Sequence, residues 1–299
     1  MSAAPLSATS TGALRAPVTL RTIAERHGRG EPLVMVTAYD FPSARAAEAG
    51  GVDLVLVGDS GAQVVLGHPS TVAVSTEEML MLARAVRRGL TSPFLVADLP
   101  FGSYEESDAQ AVATAMRFVK EAGADAVKLE RGNATSVARA RAIVQAGIPV
   151  MGHIGLTPQT SVALGGLRAQ GRDTTAALRI VREALALEEA GCFSIVLEAI
   201  PAAVSAELVP MLTVPTIGIG AGPATDGQVL VFHDLLGIRE GSGAKFVRRY
   251  ADLQEEMDAG VAAYAADVRA RRFPGPEHAY AIDEDVLAAF RAALAELER

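Results

Sequence analysis

Residues 94–130 read FLVADLPFGSYEESDAQAVATAMRFVKEAGADAVKLE. The stretch opens on one apolar run, Phe94–Asp98, and closes on another, Ala126–Glu130. Between them Ser107–Ala122 carries apolar residues at helical spacing, and Gly123 follows where a helix stops. The two runs lack polar alternation, which is the pattern of strands covered on both faces in a parallel sheet. Strand, helix and strand in that order make one βαβ unit, and each strand ends on an acid.

The same unit recurs on both sides. Further apolar runs are Leu33–Ala38, Val52–Gly58, Pro149–His153, Ser194–Glu198, Pro215–Gly220 and Val229–Phe232. Helical spacing marks Thr76–Arg88, Thr135–Ala146 and Thr174–Ala190, and Gly50, Gly89, Gly147 and Gly191 precede strands as expected helix stops. The eight runs start about 28 residues apart on average, as in a barrel of roughly 250 residues divided eight ways. The predicted fold is therefore an α/β (β/α)8 TIM barrel; the alternative is an open, doubly wound sheet. The last run is the least regular, and Val229–Leu236 also fits a helix.

The flanks differ in composition. Residues 1–17 are rich in Ala, Ser and Thr and read as a disordered tail rather than a secretory signal. Thr19–His27 reads as a short helix at the start of a catalytic domain spanning 18–272. Lys245–Arg271 reads as a long helix, and 273–299 as a C-terminal helical extension holding the amphipathic Asp283–Glu298.

The chain has 299 residues, half of them apolar and 21% charged, which is enough to bury a large core. Its net charge of −8 leaves little to hold a nucleic-acid backbone. No apolar run reaches about 18 residues, so a membrane span is not expected. Cys192 is the only cysteine and reads as a buried small hydrophobe, which points to a reducing, cytoplasmic location.

In such a barrel the C-terminal strand ends build the active site. Those ends carry Tyr39-Asp40, Asp59-Ser60, Asp98, Lys128 with Glu130, His153 and Glu198, then the glycine run Gly218–Gly222. Five successive strands deliver ionisable groups to one mouth, a site pattern because an unpaired charge on a core strand is costly. Asp59, Asp98 and Glu130 end neighbouring strands about 4.8 Å apart. Such close carboxylates call for a hard divalent cation, Mg²⁺ above all. The plainer alternatives are a helix cap for Asp59 or Asp98 and an outer supporting role for Glu130.

Lys128 is one of three lysines among 24 arginines. It shares a strand face with Glu130, as an ion pair or as a ligand for a substrate carboxylate or oxyanion. Glu198 on an otherwise apolar strand suits a general base; the alternative is a carboxylate bonded to loop amides. His153 lies between Gly152 and Gly155, which would let a ligand approach closely, though a lone histidine is often a hydrogen-bonded core residue. The Gly218–Gly222 run fits a phosphate loop or a tight turn.

Taken together, these segments resemble the ketopantoate hydroxymethyltransferase family. The matching stretches are Val36–Asp40, Val57–Ser60, Val64–His68, Val96–Gly102, Val127–Glu130, Gly152–Gln159, Leu197–Glu198, Ile217–Gly222 and His233–Asp234, with a further likeness at Phe273–His278. The resemblance covers roughly residues 18–280. It implies a metal-dependent (β/α)8 barrel that transfers a hydroxymethyl group from 5,10-methylenetetrahydrofolate to 3-methyl-2-oxobutanoate, giving 2-dehydropantoate for pantothenate and coenzyme A synthesis. It implies Asp59 and Asp98 as Mg²⁺ ligands with Glu130 in or near the metal shell. It implies Asp59, Ser60, Asp98 and Lys128 against the keto acid and Glu198 as the general base; in the mechanism expected here Glu198 takes the C3 proton while Lys128 and His153 help to hold negative charge. It also implies a homo-oligomer, a decamer of pentameric rings. Three rival readings use the same residues. They are a Schiff-base aldolase on Lys128, a metal-dependent carbon–carbon lyase of the phosphoenolpyruvate-mutase and isocitrate-lyase kind, and a barrel retained as a scaffold.

Overall fold

The computed structural model describes residues 15–239, 241 and 243–297. Its elements run α1 (Leu20–Gly28), β1 (Leu33–Thr37), α2 (Phe41–Ala49), β2 (Leu54–Val57), the single turn α3 (Gly61–Val64), α4 (Thr76–Gly89), β3 (Phe94–Asp98), α5 (Asp108–Ala122), β4 (Ala126–Glu130), α6 (Ala134–Gln145), β5 (Val150–Gly155), α7 (Thr174–Glu189), β6 (Ser194–Glu198), α8 (Ala202–Leu208), β7 (Thr216–Ile219), β8 (Gly227–Leu230) and α9 (Phe232–Leu236). All eight strands are parallel and pair in chain order, and β8 closes on β1 with Leu33 opposite Gly227. The chain is a (β/α)8 barrel. The β8–β1 pairing rules out the open sheet.

Alternation along the strands sorts side chains into two cores. Leu54, Leu56, Phe94, Val96, Met151 and Val196 fill the inside of the cylinder. Val55, Leu95, Val127, Leu129, Ile195 and Leu197 face outward and pack under the helices. Leu95 and Phe118 are fully buried, and truncating either to Ala would cost about 2–5 kcal/mol. Because inner positions repeat every two residues, Phe94 and Val96 lead to an inward Asp98, and Ala126 leads to Lys128 and Glu130. The polar site is thus the top layer of the same faces that form the apolar interior.

Local sequence fixes the helix ends. Thr19, Asp40, Ser75, Ser107, Asn133 and Asp173 each cap a helix through a side-chain oxygen that accepts a backbone N–H of the first turn. Asp40, at the end of the first run, is therefore spent on starting α2. Gly123, Gly147 and Gly191 have φ of 69°, 89° and 95° and end their helices as expected. Gly50 also ends its helix, as the C-cap of α2, but with ordinary backbone, and the left-handed step falls on Gly51. Gly89 has ordinary backbone and serves packing, since a Cβ there would lie 2.6 Å from the Ala44 Cβ.

The last run of the barrel is shifted from the expected Val229–Phe232. β8 is Gly227–Leu230, and the Phe232 N–H, donating to Thr37 Oγ1 at 2.8 Å, begins α9. Both expected conformations for Val229–Leu236 are present in succession. Of the N-terminal tail, residues 1–14 lie outside the described residues; Arg15 pairs with Asp53 and donates to the Val52 carbonyl at 2.8 Å.

The chain divides into two units, one ending at Tyr250 and the other running Ala251–Arg299, so the expected boundary at 272/273 falls inside the second. The second unit holds α10 (Leu253–Arg269) and α11 (Glu284–Leu297). α10 is shorter than the expected Lys245–Arg271. Its acids Glu255 and Glu256 occupy the first turn, where the helix dipole favours them, and Arg271 takes a positive φ of 54° beyond its end. Among the described residues, no helix is long and apolar enough to cross a membrane.

Candidate active site

Strand register brings the predicted residues together. Asp98 stands opposite Lys128, Glu130 opposite His153, and Gly155 opposite Glu198. Asp59 and Ser60 follow β2 at the head of α3. All seven predicted residues line one cavity of about 500 Å³, the size of a small-molecule site. Asp59, Asp98, Lys128, Glu130 and His153 are each no more than 4% exposed, so their charges must be answered locally.

Lys128 Nζ lies 2.8 Å from Asp98 Oδ1 and 3.3 Å from His153 Nδ1. Burial opposes the lysine charge, but Asp98, Glu130 and Asp59 prevail and raise its pKa above the ordinary lysine value. A Schiff-base role needs a neutral amine, so this environment works against the aldolase reading. His153 Nδ1 is 3.5 Å from Glu130 Oε1, and its Nε2 is 3.1 Å from Glu198 Oε2. Burial and Lys128 oppose the imidazolium, yet the neighbouring Glu130 and Glu198 carboxylates outweigh them and raise its pKa to about 9.

Gly152 and Gly155 play a different part from the one expected beside His153. A Cβ on Gly152 would strike Leu187 of α7, and one on Gly155 would lie 2.2 Å from the Glu198 carbonyl oxygen. They permit close helix and strand packing rather than ligand approach. The glycines after β7 are likewise a packed turn: Cβ atoms on Gly220 and Gly222 would meet Phe246 and Ala202.

Asp98 Oδ2 accepts the Asp59 N–H at 3.0 Å. Asp98 Oδ1 is buried and, although close to Lys128, has no aligned hydrogen bond. Asp59 Oδ2 accepts from Gln159 Nε2 at 2.9 Å. Burial, then the Asp98 and Glu130 charges, push the Asp59 pKa well above the usual aspartate value, against the pull of Lys128 and the Gln159 bond. The cluster is therefore short of positive charge where Asp59 and Asp98 meet, and Asp98 Oδ1, which faces Lys128 without an aligned hydrogen bond, is a hard oxygen donor. These residues fit a Mg²⁺ ion held by two carboxylates with further positions left for substrate and water.

Of the two places expected for Glu130, in the metal shell or in an outer supporting role, its bonds match the second. Glu130 Oε2 accepts the Gln159 N–H at 3.0 Å and its Oε1 faces His153. Among the described residues, no three acidic, histidine or cysteine side chains converge on one cation position. Glu130 thus has protein partners on both oxygens.

Sequence reading missed Gln159 and Tyr104, and named Tyr39 at its strand end without a partner. Gln159 sits in the one-turn 3-10 helix Pro158–Thr160 after β5 and is 5% exposed. Tyr39 shares a 2.8 Å hydrogen bond with Ser60 Oγ, which steadies that hydroxyl at the cavity. A glutamine or tyrosine in a loop carries no charge signal. Gln159 could have been flagged only as the last residue of the matched stretch Gly152–Gln159.

A family model described as ketopantoate hydroxymethyltransferase matches residues 17–276. The chain belongs to the ketopantoate hydroxymethyltransferase family. It is 49% identical over 286 residues to the mitochondrial 3-methyl-2-oxobutanoate hydroxymethyltransferase 1 of Arabidopsis thaliana, covering 94% of this chain and 82% of that one. It is 52% identical to 3-methyl-2-oxobutanoate hydroxymethyltransferase of Moorella thermoacetica, covering 90% and 99%. Among solved structures it is similar to a phosphonopyruvate hydrolase complex with oxalate and Mg²⁺ (TM-score 0.56, 15% identity, 93% and 97% covered). It is also similar to 2,3-dimethylmalate lyase, a member of the PEP mutase/isocitrate lyase superfamily (TM-score 0.54, 16% identity, 93% and 96% covered). At that identity the likeness establishes the barrel fold and leaves the lyase reading without support of its own.

Proposed function

We propose that the chain transfers a hydroxymethyl group from 5,10-methylenetetrahydrofolate to 3-methyl-2-oxobutanoate, giving 2-dehydropantoate. The observation that carries this reading is the buried pairing of Asp59 and Asp98 beside Lys128, His153 and Glu198 in one cavity, in a chain of this family. Asp59 and Asp98 are the residues that would hold Mg²⁺. Bound there, the ion supplies positive charge against the carboxylate and keto oxygens of the substrate and so favours loss of the C3 proton.

The chain's own groups do the rest. Lys128, fixed by Asp98, sets a permanent cation beside the substrate anion. His153, protonated below its raised pKa, adds a second. Ser60, oriented by Tyr39, offers a hydroxyl to the keto acid. Glu198 reaches the cavity from β6 with its Oε2 3.1 Å from His153 Nε2, and a carboxylate placed there is suited to take the C3 proton. Water supplies the hydroxyl oxygen: it adds to the donor's methylene carbon, both C–N bonds break and tetrahydrofolate leaves. The carbon left nucleophilic attacks the resulting formaldehyde-level carbon, whose oxygen takes up a proton to become the product hydroxyl. Leu156, Pro158, Leu167 and Phe246 also line the cavity and give the donor's flat ring system apolar walls.

A homo-oligomer, a decamer as implied by the family, is the assembly we favour. Its support is the exposed apolar row Met257, Val261, Tyr264 and Val268 at helical spacing on α10. The lone, buried Cys192 supports a reducing compartment. The direct test of the activity is 2-dehydropantoate formation from the two substrates with Mg²⁺, its loss with EDTA, and its return when Mg²⁺ is restored. Product formation unaffected by chelation would overturn the metal-dependent reading.

A further inference from the structure

Gln159 is bonded on every side. Its Nε2 donates to Asp59 Oδ2 and to the Leu99 carbonyl, both at 2.9 Å. Its Oε1 accepts from the Tyr104 hydroxyl at 2.6 Å. Its backbone N–H donates to Glu130 Oε2 at 3.0 Å, and the Glu130 N–H donates back to the Tyr104 hydroxyl at 3.3 Å. The three residues close a ring, all of it buried: Gln159 is 5% exposed, Glu130 2% and Tyr104 1%.

The ring fixes which way the amide points. Turned over, the amide oxygen would face the Asp59 carboxylate and the Leu99 carbonyl, two acceptors, and its nitrogen would face the tyrosine donor. The Tyr104 O–H therefore acts through Gln159: it holds the NH₂ toward Asp59. Asp59 in turn has one oxygen pinned, leaving Oδ1 free of hydrogen bonds among the described residues. Without that bond the carboxylate would be free to turn about its Cβ–Cγ axis. Asp98 needs no such help, because the Asp59 N–H holds its Oδ2.

We infer that Gln159, oriented by Tyr104 and anchored on Glu130, is a positioning residue that sets the Asp59 carboxylate in the orientation that receives the divalent cation. This rests on the reading of Asp59 and Asp98 as the cation's ligands. Outer partners of this kind typically contribute 10–100-fold in metal affinity.

The test is calorimetric titration of Mg²⁺ into the full-length, metal-stripped protein without substrate. Gln159→Met keeps the volume and the backbone N–H to Glu130 but removes the donor to Asp59; it should weaken Mg²⁺ binding about 10–100-fold. Tyr104→Phe leaves the amide but frees it to turn, and should weaken binding in the same direction by a smaller factor. The double variant should bind no more weakly than Gln159→Met alone, because Tyr104 acts through the amide. A purely structural role would lower the unfolding temperature while leaving Mg²⁺ affinity within twofold of wild type, and that result overturns the inference. Additive losses in the double variant would overturn the proposed relay through Gln159. Should Gln159→Met fail to fold, Tyr104→Phe decides alone, by weakened or unchanged binding. Wild-type protein that binds no Mg²⁺ would instead remove the ligand reading, and this inference with it.

Discussion

Asp98 and Lys128 face one another across adjacent strands, with the lysine nitrogen 2.8 Å from the aspartate Oδ1 and both side chains 5% exposed. The pair explains why a chain that uses arginine almost everywhere keeps a lysine here. A compact ammonium fits between Asp98 and His153, where a forked guanidinium would need more room.

Lys128→Met should destabilise the apo-protein by about 3–5 kcal/mol, because it leaves the Asp98 carboxylate buried without its counter-charge. Urea denaturation at neutral pH reads this directly. Lys128→Arg should not restore activity. A loss under about 1 kcal/mol, the level of an exposed pair, would mean that Lys128 is not the group that answers Asp98.

Gly155→Ala probes the seam between β5 and β6. Gly155 has a φ of 94°, and a Cβ there would lie 2.2 Å from the Glu198 carbonyl oxygen. The substitution should cost at least ~2 kcal/mol through backbone strain and clash, and it should displace the residue proposed as base. Thermal unfolding together with turnover measures both effects. An unchanged melting temperature would show that the seam can relax.

Cys192 is 2% exposed, and burial pushes its thiol pKa up to about 12. Thiolate is the reactive form, so at pH 8 the native thiol should resist a disulfide reagent, with only about one part in 10⁴ ionised. One equivalent should react once the protein is unfolded in urea. Rapid native labelling would contradict the buried placement.

The exposed apolar positions of α10 bear on assembly. Val261 and Tyr264 are 69% and 58% exposed. Sedimentation should give a particle several times the 31.0 kDa chain, ten times for the decamer. Val261→Glu with Tyr264→Glu should yield a smaller particle. A wild-type monomer would remove the support these side chains lend to an oligomer.

Much of this site was legible because strands have a period of two. Once Phe94–Asp98 and Ala126–Glu130 were read as barrel strands, Asp98, Lys128 and Glu130 had to share the inner face, and His153 and Glu198 followed on the next two. What charge alone did not reveal was how the carboxylates divide their work. Sequence left Glu130 between a direct and an outer role, and only its bonds show that it spends its oxygens on Gln159 and His153. Gln159 itself arrives from a 3-10 turn that no strand period positions. The shift of β8 was hidden for a related reason: Val231 and Phe232 are apolar, and only the Phe232 N–H bond to Thr37 shows that the strand has already ended.

The central claim is that Glu198 takes the C3 proton of 3-methyl-2-oxobutanoate in a cation-bearing site. Its most direct test is deuterium exchange at C3, followed by NMR in D₂O with Mg²⁺ and without folate. Wild-type protein should catalyse exchange that stops with EDTA, and Glu198→Gln should still bind Mg²⁺ and the keto acid while exchange falls by about 10²–10⁴-fold. Exchange that continues in Glu198→Gln, or that is indifferent to chelation, would contradict the account.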